Sequence, residues 1–161
     1  MQGEVDRAKS QTQPQPGWIY VVVAVLSLLG LADAIYLTIE HITGQSVRCT
    51  IIAGCSEVLS SSYAVISGIP VAMIGAVAYF TVFSLAILYL FGYKFTQLLL
   101  LVLVGGMFIA TLWFLYLQAV VIKAFCQFCL LSAATTILMA IFLFLVPRLL
   151  RVRGGVSTDS Q

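Results

Sequence analysis

The sequence predicts an all-α integral membrane protein, a bundle of four transmembrane helices with one long cysteine-bearing loop. Three observations predict it. Hydrophobic residues make up 61% and charged residues 9% of the 161, with a mean hydropathy of +1.09; soluble domains carry about a quarter charged residues, so the solvent for this fold is lipid. The apolar residues gather in four runs long enough to cross a bilayer, and Lys and Arg fall largely on one side of those runs. A net charge of +2, scattered along the chain, sets nucleic acid aside as a partner. The length allows one domain, mostly consumed by the apolar runs, so chemistry must reside in the helices or their connections.

Residues 1–17 are rich in Gln, Pro and Ser and include Glu4, Asp6, Arg7 and Lys9. Such a composition buries too little apolar surface to order itself and reads as a flexible cytoplasmic tail. From Trp18 to Ile39 the chain is almost wholly apolar; roughly 20 such residues at about 1.5 Å each span a hydrocarbon core of about 30 Å. Three further stretches qualify: Val71 to Phe91 after Pro70, Thr96 to Ala119, and Phe125 to Val146, the last stopped by Pro147. The membrane domain is thus residues 18–147, with a second cytoplasmic tail at 148–161. The 40–69 loop carries Ile, Val, Leu, Tyr and Ala and is expected to lie against the bilayer, with a short helix over Ser56 to Ile66 capped by Ser56.

Four spans place both termini on one side. Arg7, Lys9, Lys94, Arg148, Arg151 and Arg153 fall on that side, and only Arg48 and Lys123 on the other. Positive residues are retained in the cytoplasm, which predicts a multi-pass protein of the cell inner membrane with cytoplasmic termini. The long loop and the turn near Lys123 then face the periplasm or an organelle lumen, the oxidising side. A cleavable signal peptide ending at Ala32-Asp33-Ala34 is the competing reading of the first run. The apolar stretch continues through Ile39, however, and removing it would leave an odd number of spans.

The four cysteines carry the chemistry. Cys49 and Cys55 lie in the long loop, and Cys126 and Cys129 begin the fourth helix on the same side. Cys126-Gln127-Phe128-Cys129 is a Cys-x-x-Cys at a helix N-terminus, where unpaired N–H groups and the helix dipole stabilise a thiolate. Residues three apart share a helix face, and their separation of about 5 Å lies in the disulfide range. Cys126 is expected to face the loop and water, and Cys129 to sit about one turn deeper in the membrane. Arg48 favours a thiolate at Cys49. Four cysteines allow three pairings, and the sequence selects none; a relay by thiol–disulfide exchange, with a transient Cys55–Cys126 bridge, would use more than one. A pair of structural disulfides is the plainer use of such cysteines. A four-cysteine metal site is disfavoured, because only one pair has zinc-knuckle spacing and the compartment is oxidising.

Cys49, Gly54-Cys55-Ser56 with Ser61 and Ser62, Gly68-Ile69-Pro70, and Cys126-x-x-Cys129 opening the last helix resemble the vitamin K epoxide reductase family, over about residues 18 to 147. Gly-Ile-Pro and the short Cys49-to-Cys55 spacing are similar to prokaryotic members. The resemblance implies a four-helix bundle enclosing a quinone of the ubiquinone, menaquinone or phylloquinone type, capped by the loop. It also implies electron flow from a thioredoxin-like protein to Cys49, through Cys55 to Cys126, and by Cys129 to the quinone, in support of disulfide formation. Ser61 matches the family's active-site hydroxyl, and equally suits a plain loop or capping serine. Val71 and Ala133 replace the asparagine and tyrosine of the animal enzymes, which shifts the expected substrate from the epoxide to a quinone held by apolar contacts such as Ile74 and Phe128. Prokaryotic members often carry a fused thioredoxin-like domain; with 14 residues after Pro147, the redox partner is expected to be a separate chain. The rival from another class is a non-enzymatic membrane scaffold or transporter subunit with structural disulfides.

Asp33, inside the first run, is a costly residue in hydrocarbon and reads either as a proton source for the quinone or as a neutral or snorkelling carboxyl. His41, the single histidine, reads as a general acid or an interfacial residue. Gly105-Gly106 reads as a close helix contact, and Trp18, Trp113 and Tyr116 as interfacial anchors.

Overall fold

A computed structural model describes residues 16–43, 58–59, 61, 63–66 and 68–150. Cys49, Cys55, Ser56 and residues 1–15 and 151–161 of the terminal tails lie outside the described residues. Four helices are long and apolar enough to cross a membrane. They are α1 (Gly17–Thr43), α2 (Val71–Leu90), α3 (Thr96–Tyr116, prolonged by a π-helical segment Leu117–Ile122) and α4 (Gln127–Ala140), the last carried on through a π-helical segment Ile141–Leu145 to Leu150. The four-span membrane bundle is therefore the fold.

Each helix contacts the next along the chain, α1 with α2, α2 with α3 and α3 with α4, and α4 returns to α1. The ring so closed has one main core, with Ile19, Tyr20, Val23, Tyr79, Leu100, Val104 and Met139 almost fully buried. Many of the remaining apolar side chains, such as Val77, Val102 and Ile109, are exposed. That distribution suits helices whose outer faces meet lipid. Aromatic pairs fasten α1 on both flanks: Tyr20 stacks on Tyr89 of α2 at 3.7 Å between ring centroids, and Trp18 meets Phe142 edge-on at 6.1 Å. At Gly30 of α1 the ring of Tyr79 occupies the space a Cβ would need, so this contact between α1 and α2 requires glycine.

The connections differ from expectation in three places. Val65–Ile66 does not continue a short helix: it forms strand β1, antiparallel to β2 (Ile69–Pro70) with Val65 opposite Pro70 and Ile66 opposite Ile69. Among the described residues of that expected helix, only Val58 and Leu59 are helical. Two β-branched residues at Val65 and Ile66 favour extension, and Gly68 supplies the positive φ, +84°, that the turn needs. Secondly, α1 runs on to Thr43, past Ile39. Thirdly, Pro147 does not stop α4. Proline in a helix lacks an N–H and crowds the carbonyl four residues back, and the widened π-helical turn directly before it accommodates both demands. Between α2 and α3 the reversal is a Schellman turn. Gly92 (φ +99°) donates to the Tyr89 carbonyl at 2.9 Å, and Tyr93 to that of Leu88 at 3.2 Å.

Candidate functional site

Where α3 ends, the backbone unwinds into the π-helical segment and Lys123 takes a left-handed φ of 55°. This turns the chain directly into the N-terminus of α4. Cys126 is the N-cap residue of α4, extended at φ −98°, ψ 121°, and its carbonyl accepts the Leu130 N–H at 3.0 Å. Its own N–H, which no helix bond would satisfy, donates to Gln118 Oε1 at 3.3 Å. Gln118 is buried, so one buried polar group answers another, as the interior of a membrane protein demands. Nothing in the sequence singled out Gln118; its role depends on the π-helical turn, a feature without a residue signature.

Cys126 is completely buried. It was expected to meet water, but Leu37 of α1 and Val58 of the α1–α2 connection enclose it, with Leu59 and Phe128 packed around them. Val58 and Leu59 of the connection therefore help to cover this thiol. Cys129, three residues on and half-buried, lines a cavity of about 350 Å³, within the range of small-molecule sites of about 300–1,000 Å³. The Cys129 thiol donates toward the Cys126 sulfur. The Cys129 and Phe128 amides approach the same sulfur, without closing a cap hydrogen bond, and together these donors outweigh burial and lower the Cys126 thiol from its usual 9.0 to about 7.

The cavity is mainly apolar, with a few polar side chains converging on it: Asp33, His41, Ser61, Tyr63, Cys129 and Ser132 among them. Ser61 and Ile74 both line it, as do Val71 and Ala133. Ser61 also holds the connection, its hydroxyl donating to the Val58 carbonyl at 2.7 Å as a loop serine does. Phe128 is not among the lining residues; it faces Tyr36 of α1 at 5.1 Å and packs beside Cys126. Near the cavity floor the Tyr79 hydroxyl lies 2.8 Å from Ser132 Oγ, 2.9 Å from the Ser132 carbonyl and 2.8 Å from Thr136 Oγ1. This knot ties α2 to α4 across the bundle. Both carboxylate oxygens of Asp33 are buried without a hydrogen-bond partner among the described residues.

A buried thiol pair opening a helix, one sulfur tuned toward thiolate and the other facing an apolar cavity, is an arrangement for thiol chemistry at a membrane-embedded site. Comparison with known proteins agrees with it. The chain matches the Vitamin K epoxide reductase family over residues 21–144. It is also 42% identical over 57 residues, 35% of the chain, to the thiol-disulfide oxidoreductase LTO1 of Arabidopsis thaliana. That stretch is 15% of the length of the plant protein, so the whole plant protein is not represented by this likeness. With most of its membrane-spanning bundle inside the match, the chain belongs to the vitamin K epoxide reductase family.

Proposed function

We propose that the protein is a membrane thiol:quinone oxidoreductase that accepts electrons from a thioredoxin-like protein and delivers them to a quinone, sustaining disulfide formation on the far side of the membrane. The observation that carries this reading is the Cys126–Cys129 pair, with Cys129 lining the apolar cavity and Cys126 lowered toward neutrality. A quinone supplies the acceptor for two electrons and two protons. The chain's own residues supply the thiol pair, an apolar enclosure that excludes water, and a covering connection stapled by Ser61. A ring bound beside Val71, Ile74 and Ala133 would be held by shape and apolar contact, which favours a ubiquinone-, menaquinone- or phylloquinone-type ring over the epoxide.

Cys49 and Cys55, outside the described residues, are assigned the entry steps: Cys49 meets the partner, and Cys55 exchanges with Cys126 through a mixed disulfide. The membrane domain over 18–147 sits with both tails in the cytoplasm, and the cysteines face the periplasm or a lumen. Cys129→Ala is expected to abolish quinone reduction while leaving the loop pair exchangeable with the partner; turnover surviving in that variant would remove Cys129 from its role. Cys49→Ala is expected to slow reduction driven by a protein dithiol but not by a small one, and equal slowing with both would show that entry lies elsewhere.

A further inference from the structure

Asp33 is the buried ionisable group that this chemistry has not used. It is 7% exposed, lines the same cavity as Cys129, has no hydrogen-bond partner for either oxygen among the described residues, and is close enough to both Cys126 and Cys129 to feel their charge. No Lys or Arg lines the cavity among the described residues; its other titratable members are His41, Tyr63 and Tyr79. A structural carboxylate in such surroundings would be paired or bonded to amides. One left bare in an apolar cavity beside a thiol pair is placed to exchange a proton with whatever reacts there.

We propose that Asp33 holds the proton that the thiol pair lacks when it reduces a quinone. The inference rests on the thiol:quinone reading. Reduction to a quinol consumes two electrons and two protons. With Cys126 as thiolate and Cys129 as thiol, the pair supplies both electrons in forming the Cys126–Cys129 bond but only one proton, from Cys129. Asp33 gives the second, and the negative charge passes from the Cys126 sulfur to the Asp33 carboxylate. A dithiol that next reduces the Cys126–Cys129 bond becomes a disulfide, and its two protons return one to Cys129 and one to Asp33, restoring the Cys126 thiolate. Charge and atoms balance over the cycle, and no proton need cross the lipid at the moment of reduction.

The test uses full-length protein in detergent, with Asp33→Asn and Asp33→Glu. In single turnover of pre-reduced protein with a soluble quinone, D33N should be slowed about 100-fold or more, as loss of a general acid typically entails, and formic acid should restore part of the rate. D33E should keep a substantial part of it. A second readout needs no quinone: the infrared difference between dithiol and disulfide forms should contain a protonated-carboxyl band that D33N lacks. A D33N rate within about threefold of wild type, or a difference spectrum without that band, overturns the role of Asp33 while leaving the thiol:quinone reading intact. Wild-type protein that reduces no quinone would instead overturn the reading on which it rests.

Discussion

At the scale of single residues, the site is built by satisfying polar groups that lipid would leave bare. Cys126 caps α4, where the amides have no intrahelical acceptor, and Gln118 provides one for its N–H. Gln118→Leu keeps the volume and removes the acceptor, which should cost about 1–3 kcal/mol for the stranded N–H, read as a lower Tm in detergent; an unchanged Tm would show that the amide finds another partner. The neighbouring thiol and amides hold the Cys126 pKa near 7. Because the shift is downward, the thiolate is half-formed at neutral pH and complete at pH 9. Ultraviolet thiolate absorbance of reduced Cys49→Ala/Cys55→Ala protein should therefore rise through about pH 7, and adding Cys129→Ala, which removes the leading donor, should move the midpoint upward. A midpoint near 9 in both would contradict the tuning.

At the scale of elements, the helices meet where small residues and shared hydroxyls allow. Gly30→Ala forces a methyl into the Tyr79 ring and should destabilise the bundle by about 1–3 kcal/mol. Tyr79→Phe keeps the ring but deletes the hydroxyl that faces Ser132 and Thr136; hydrogen bonds between membrane helices average about 0.6 kcal/mol, so its loss of Tm should be the smaller of the two. The reverse order would mean that the hydroxyl knot, and not the Gly30 contact, sets the α1–α2–α4 packing. Both features join residues far apart in the chain, which is why neither was legible beforehand. Apolar runs carried the spans themselves well: α2, read as Val71 to Phe91, occupies Val71–Leu90. Irregular backbone was less legible. Pro147 signals a stop unless a π-helical turn precedes it, and Val65–Ile66 pairs with Ile69–Pro70 only once the turn at Gly68 closes.

At the scale of the whole molecule, the order of the spans brings the start of α4 beside the α1–α2 connection. The helix-start Cys-x-x-Cys was legible from its spacing, whereas its burial was not: Leu37 and Val58 cover Cys126 through contacts that no local pattern encodes. Phe128, expected with Ile74 among the quinone's apolar contacts, does not line the cavity, and its direction on the helix takes it to Tyr36. The orientation inferred from Lys and Arg predicts that a reporter cysteine at Lys123, in a background without the four native cysteines, reacts with an impermeant maleimide on intact cells. A reporter at Ser160 should react only after permeabilisation; the opposite pattern would invert the topology.

The central claim, that the α4 thiol pair passes electrons to a quinone, is tested most directly by quinone absorbance in detergent-solubilised protein on adding a dithiol, with and without Cys126→Ala. Rapid loss of the oxidised-quinone band is expected in the wild type and none above background in the variant. Equal rates in both, or no reduction of any quinone by protein whose cysteines stay locked in disulfides, would contradict it.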